Sequence, residues 1–338
     1  MDPLNAKGLI EIRSQLLKGK IPKECLGCYK REQQGLDSAR KLALRNYSHQ
    51  YEEKLSKTSP NGKSEDSSLE FIDLSLGNKC NSYCITCHPY YSTQIAKWTQ
   101  QQKINPTLEK IEEFTKNKIF NLPCQQTKSF YFQGGEPLLS PKHEGILEKL
   151  LPNAKETSLS YNTNLTVLPS KVLSLWKEFK NIQVWISIDG IGEMQEYLRP
   201  PIKWERLTRN LALIRQLPNV EINFTSVVHA LNLLSLNDIF TFAEKNSTQN
   251  KAPQLIFLET PSLLKPDSLS KGSIEEAKKE WEGSRHNLTP SVSRDSIDKF
   301  FTKIKGAKTL SPYLLVFIRK LEKDYQLIRP DKVSKLLK

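Results

Sequence analysis

The chain has 338 residues, 38% of them hydrophobic, and its 50 basic against 37 acidic residues leave a formal charge of +13. No run approaches the roughly 20 apolar residues of a membrane span, and the start, Met1-Asp2-Pro3-Leu4-Asn5, lacks a signal-peptide pattern; no membrane association is expected. Six cysteines, clustered rather than scattered, argue against a disulfide framework and for metal binding in a reducing, cytoplasmic setting.

In chain order, Leu4, Leu9, Ile10, Ile12, Leu16 and Leu17 recur at near-helical spacing and predict an amphipathic helix over 4–18. A C-x2-C pair, Cys25 and Cys28, opens a charged helical stretch reaching about Lys57. Ser59, Pro60, Asn61 and Gly62 mark 58–68 as a linker. The alternating segment Leu69–Leu76 predicts a first strand, which runs straight into Cys80, Cys84 and Cys87 in C-x3-C-x2-C spacing. A helix is expected over Thr107–Lys116 and a second strand over Ser129–Gln133, ending in Gly134-Gly135-Glu136-Pro137. Further strands are expected over Thr157–Tyr161, Ile182–Ile188, Val220–Val228 and Gln254–Leu258. Helices are expected near Glu144–Leu151, Ser170–Glu178, Trp204–Leu217 and Asn237–Lys245. Six strand-then-helix units predict a parallel sheet with covering helices. The tail, 265–338, reads as mostly helical and holds no cysteine.

The charge is uneven. Residues 1–68 carry +4 and 265–338 carry +7, whereas the stretch between carries only +2. Such flanks either attract nucleic acid or an acidic partner or form a lysine-rich solvated surface.

Three thiolates on one loop can ligate a soft metal centre, and they are one short of the four cysteines of a closed iron–sulfur site. A zinc site would instead call for paired C-x2-C spacing with a second pair elsewhere. The cysteine spacing at the end of a first strand, followed by Gly134-Gly135-Glu136-Pro137 after a second, resembles the radical S-adenosylmethionine (SAM) superfamily. Thr86 stands where that family usually has a large or aromatic residue.

The resemblance implies an α/β fold: an open (β/α)6 partial TIM barrel over 69–264. A helical N-terminal extension (1–68, carrying the C-x2-C pair) and a mostly helical C-terminal one (265–338) would flank it. It implies a [4Fe–4S] cluster on Cys80, Cys84 and Cys87 whose fourth iron binds SAM. One electron from a donor such as flavodoxin or ferredoxin would cleave SAM to methionine and a 5′-deoxyadenosyl radical, which abstracts hydrogen from a peptide or small-molecule substrate. Gly134, Gly135 and Glu136 would hold the methionine end of SAM. Asn164, Ser187 and Asp189 would bond its ribose or carboxylate, and Arg199 its carboxylate. Parallel barrels place their sites at the C-terminal ends of strands, and all these residues fall at such ends or just beyond. Modification of RNA and a non-catalytic iron–sulfur or SAM-binding role are the alternatives. No GxGxxG or P-loop pattern competes.

The stretch Cys25 to Arg40, with Glu32, Gly35, Ser38 and Arg40, together with His88-Pro89-Tyr90-Tyr91-Ser92-Thr93 and Trp98, resembles radical SAM proteins of the twitch type, which carry one auxiliary cluster. Cys25 and Cys28 are therefore candidate auxiliary ligands, with Cys124 as a third ligand or a buried thiol. A zinc or cross-chain site and plain free thiols remain open for them. Twitch domains normally follow the barrel, and here that region has no cysteine.

Overall fold

The computed structural model describes residues 3–33, 38–65, 69–101 and 127–338. The helix expected over Thr107–Lys116, and also Gly35 and Cys124, lie outside the described residues. The chain divides into two compact units, Met1–Leu69 and Glu70–Lys338.

The first unit contains α1 (Lys7–Leu17), α2 (Leu26–Gln33), α3 (Ala39–Tyr47) and α4 (Tyr51–Ser56). The stretch expected as a linker is folded through residue 65. Thr58 bridges Ser64 in antiparallel fashion, and Arg13 of α1 donates to the Gly62 carbonyl at 2.7 Å. Gly62 has φ of +89°, and a Cβ there would lie 2.2 Å from the Ile10 carbonyl oxygen. Any side chain would therefore drive the turn off the helix. Turn residues marked a tight return of the chain here, not an open tether.

The second unit is built on six parallel strands in sequential order: β1 (Phe71–Ser75), β2 (Ser129–Gln133), β3 (Ser158–Thr163), β4 (Asn181–Ser187), β5 (Val220–Val228) and β6 (Gln254–Phe257). The connections carry α5 (Thr93–Gln101), α6 (Pro141–Leu150), α7 (Ser170–Trp176), α8 (Glu193–Leu198), α9 (Trp204–Ile214) and α10 (Leu236–Asn246). This is the open half-barrel expected.

Because helices cover only one face, successive side chains of β1 to β4 alternate in burial, while β5 is buried on both faces over Ile222–Ser226, as in a fully covered parallel sheet. Ile72, Leu74, Phe130, Phe132, Leu159, Tyr161, Val184 and Ile186 point into the helix layer. There Phe132 stacks on Tyr161, and Tyr161 packs on Trp176 of α7 at 4.9 Å between centroids.

The tail forms α11 (Lys271–Ser284), α12 (Val292–Lys303), α13 (Pro312–Tyr325) and α14 (Asp331–Leu336). It belongs to the same compact unit as the barrel. Trp281, Ile297, Phe301, Leu314, Ile318, Leu321, Val333 and Leu336 share one core with Val228, Leu231, Leu234 and Phe240. Among the described residues no helix is long and apolar enough to cross a membrane.

Candidate active site

The cysteine loop leaves β1 without forming a helix and is pinned from several sides. Leu76 N–H donates to the Gln133 carbonyl, Thr93 N–H to that of Asn78, Ile85 N–H to that of Leu198 and Tyr83 N–H to that of Pro200. Ile85, between two of the cysteines, is buried with Trp98, Leu198 and Val228, so the loop carries its own apolar anchor. Behind it Tyr83 stacks on Tyr325 of α13 at 4.8 Å, and Trp98 donates from Nε1 to Asp324 at 2.9 Å.

Cys80, Cys84 and Cys87 are free thiols that feel one another. Burial, then Cys84, pushes Cys80 up to about 12. Burial, then Cys84 and Cys80, pushes Cys87 up as well. Cysteines whose thiolates would crowd one another, half-buried beside an arginine, suit a metal centre that displaces their protons and shares their charge. Among the described residues no three His, Cys, Asp or Glu side chains are gathered tightly enough for a single metal ion. A cubane differs from a single ion in that each cysteine binds a separate iron, so its thiolates surround the centre without converging on one atom.

The glycines of the second motif are required by the chain itself. Gly134 and Gly135 have φ of +86° and +50°. A Cβ on Gly134 would lie 2.4 Å from Ser75 Oγ, and one on Gly135 would lie 2.3 Å from the Lys79 carbonyl oxygen. Glu136 N–H donates to that same carbonyl at 2.9 Å. The turn after β2 is thus laid directly against the start of the cysteine loop.

The Glu136 carboxylate, 2% exposed, accepts from Thr163 Oγ1 at 2.7 Å, Leu138 N–H at 3.2 Å and Asn164 N–H at 2.8 Å. Three donors on two oxygens leave one lone pair, on Oε2, for a ligand's amino group. Burial outweighs these bonds and pushes the group up to about 7.

A folded-state value above the unfolded 4.5 means that ionised Glu136 destabilises the fold. Its contribution is most favourable below about pH 4.5 and is lost as pH rises through about 7, on the order of 3 kcal/mol in all. Glu136→Gln is expected to cost stability at acid pH, where its amide opposes the Asn164 N–H, and to flatten this segment of the profile. Urea melts of both proteins between pH 4.5 and 8 measure the difference, and parallel profiles would refute it.

Asn164, after β3, donates from Nδ2 to Asn81 Oδ1 at 2.9 Å and accepts from the Thr166 N–H and hydroxyl at 2.9 and 2.6 Å. Asn81 closes the ring by donating to Thr166 Oγ1 at 2.9 Å. The Asn164 amide therefore ties the end of β3 to the cysteine loop.

Asp189, beyond β4, is 1% exposed and uses both carboxylate oxygens, accepting from Arg199 Nε at 2.8 Å and Val227 N–H at 2.9 Å. Arg199 in turn brings a terminal nitrogen to 3.6 Å from Cys84 Sγ. Burial works against the Arg199 charge, but Asp189 and Cys84 outweigh it and hold the guanidinium protonated. The Ser187 carbonyl accepts from Gln195 at 3.0 Å, and its side chain lies on the opposite face from the buried Ile186.

Cys80, Cys84, Cys87, Gly134, Gly135, Glu136, Asn164, Asp189 and Arg199 thus form one connected region around the cysteine loop, with Ser187 at its margin. Cys25 and Cys28 belong to the first unit. Cys25 ends a short turn (Lys23–Cys25) and Cys28 lies in the first turn of α2. Nearby, Glu32 binds Ser38 and Arg40, and the Arg40 guanidinium sits 4.5 Å over the Tyr29 ring.

Sequence reasoning missed several members. Thr163 and Asn81 hold Glu136 and Asn164. Gln195 binds the Asp189 and Gly190 N–H groups at 2.8 and 3.2 Å. Asn232 donates to the Asp189 and Val227 carbonyls. His229, just past β5, is fully buried with no partner on Nε2 among the described residues, and burial pushes it down to about 4. Asn81 had a signal, since it lies inside the cysteine run. Gln195 had none, because a helical glutamine reads as surface.

The radical SAM superfamily model matches residues 74–243, half of the chain, and the chain belongs to that superfamily. No curated protein matches. Among solved structures, native anSMEcpe with bound AdoMet aligns with TM-score 0.42 and 21% identity, over 56% of this chain and 52% of that one. SuiB of Streptococcus suis bound to precursor peptide SuiA aligns with TM-score 0.41 and 11% identity, over 88% and 63%. TYW1 with a lysine-pyruvate adduct aligns with TM-score 0.36 and 15% identity, over 64% and 74%. The chain spans about half the length of the anSMEcpe chain.

Proposed function

We propose that this protein cleaves SAM reductively at a [4Fe–4S] cluster held by Cys80, Cys84 and Cys87, and that the resulting radical takes hydrogen from a peptide or small-molecule substrate. The observation that carries this reading is the packing of the GGEP turn and the Arg199–Asp189 pair directly onto the cysteine loop. A reduced cluster supplies one electron to the SAM sulfonium, so that homolysis of the bond to the 5′-carbon gives methionine and the 5′-deoxyadenosyl radical.

The chain's own part is positioning. Glu136 offers its remaining lone pair to the SAM amino group. Arg199, oriented by Asp189, offers its free N–H groups to the SAM carboxylate in bidentate fashion. Asn164 holds the loop that carries the thiolates, and Ser187, at the end of β4 on the face opposite the buried Ile186, is the hydroxyl assigned to the ribose. The electron comes from a one-electron donor of the flavodoxin or ferredoxin kind.

The test is anaerobic reconstitution with iron, sulfide and dithionite, followed by chromatography for 5′-deoxyadenosine. A reconstituted protein that forms none overturns the reading.

Cys25 and Cys28 offer two thiolates to an auxiliary cluster, whose remaining ligands lie elsewhere. If they hold metal, protein lacking Cys80, Cys84 and Cys87 should retain iron that Cys25→Ala with Cys28→Ala removes; metal analysis decides it. The basic tail is the observation that speaks for a nucleic-acid partner. Within it Lys332 is engaged by Asp238 at 2.6 Å, while Lys335 and Lys338 are exposed.

A further inference from the structure

The face of the half-barrel turned away from the helices is mostly polar, with Phe71, Tyr131 and Trp185 among its large side chains. A closed barrel fills that space with branched aliphatic side chains. Here the register sets Asp73 beside Tyr131, Ser75 beside Gln133, and Gln183 beside Glu221, all of them exposed or half-buried.

The two carboxylates on this face differ. Glu221 is occupied, accepting from Lys251 Nζ at 2.8 Å and Gln183 Nε2 at 3.1 Å. Asp73 is exposed on β1 and is met by the Gln133 amide, whose Nε2 donates to Oδ1 and Oδ2 at 2.8 and 2.7 Å. Among the described residues no Lys, Arg or His forms an ion pair with it. One amide bridging both oxygens fixes the carboxylate's orientation, and no cation among the described residues compensates the charge. The next residue on this face is Ser75, whose hydroxyl fills the space a Cβ on Gly134 of the GGEP turn would need. Asp73 therefore lies one inward step, about 7 Å, below the rim that carries the cysteine loop.

With the concave face as the substrate floor, we infer that Asp73 selects a cationic group, the ammonium or guanidinium of a lysine or arginine side chain in a peptide. The placement of the floor under the site rests on the function proposed above. An oriented carboxylate without a cation of its own binds an ammonium by a charge-assisted hydrogen bond, and the same charge repels a phosphodiester. The chain as a whole is strongly basic, so its long-range field favours acidic peptides. A preference for a basic one therefore has to arise locally.

The experiment uses the reconstituted full chain with SAM, under argon and at physiological salt. Fluorescein-labelled capped pentapeptides, identical except for a central lysine, norleucine or glutamate, report binding by polarisation. The lysine peptide is expected to bind at least fivefold more tightly than the norleucine peptide. Asp73→Asn, nearly isosteric, should reduce the preference to less than twofold, and Asp73→Lys should turn it towards glutamate. Peptide-independent 5′-deoxyadenosine formation should be unchanged in Asp73→Asn, which shows that the fold and SAM site are intact.

Equal binding of the three peptides, a lysine preference that survives Asp73→Asn, or displacement of the lysine peptide by an oligouridylate would each overturn the inference. Wild-type protein that prefers the lysine peptide through Asp73 yet cleaves no SAM would uphold cation selection while refuting the enzymatic reading.

Discussion

Replacing Cys80, Cys84 and Cys87 together with alanine is expected to reduce 5′-deoxyadenosine formation by at least about 100-fold, since even outer-shell partners of a metal site are worth 10- to 100-fold. The loss should be chemical and not a loss of fold. The loop is held by backbone hydrogen bonds to Gln133, Leu198 and Pro200 and by buried Ile85, none of which involves a thiol. The triple variant should therefore keep the circular-dichroism spectrum and melting behaviour of the wild-type apoprotein, while its reconstituted absorbance near 400 nm disappears. Each single variant should behave almost as badly, because in the proposed site two thiolates would leave a second iron, besides the one meant for SAM, without a protein ligand. A triple variant that still forms 5′-deoxyadenosine would remove the assignment of these cysteines.

The fold was legible because its signals are periodic. β2 and β5 lie at the residues expected from alternation, and the other strands shift by one or two residues at their ends. α5 and α8 escaped because neither carries a long apolar stripe, although α8 sets the position of Arg199. The site was legible as residue types at strand ends, but their division of labour was not. Gly134 and Gly135 looked like a close approach to a ligand, and the close approach found is to Ser75 and Lys79 of the same chain. Asp189 was expected to bond the SAM ribose or carboxylate, and in the fold its two oxygens also accept from Arg199 and Val227. Spacing reports which side chains reach one region. It does not report which of them face each other, because that depends on contacts between residues far apart in the chain, as between Ser82 and Arg199, 117 positions apart.

Arg199→Met is expected to damage stability and SAM binding by separable routes. Removing the guanidinium leaves Asp189, 1% exposed, as a buried charge with only the Val227 N–H as partner. Breaking a buried pair in this way costs about 3–5 kcal/mol, or roughly 10 °C in melting temperature for a unit of this size. Adding Asp189→Asn removes the uncompensated charge and keeps an acceptor for Val227, so the double variant should recover most of the loss. SAM affinity should not recover with it. If Arg199 meets the SAM carboxylate, both variants lose a charge-assisted bidentate contact, and their dissociation constants, measured by equilibrium dialysis on reconstituted protein, should rise at least about tenfold, since bonds to charged groups contribute about 1.5–3 kcal/mol. Arg199→Lys keeps the charge but not the fork that reaches Asp189 and the loop side at once, so it should fall between wild type and Arg199→Met in both measurements. A double variant restored in stability and in SAM affinity alike would confine Arg199 to a structural partnership with Asp189. The SAM carboxylate would then have to be met elsewhere at the rim, where His229 carries a buried Nε2 that has no partner among the described residues.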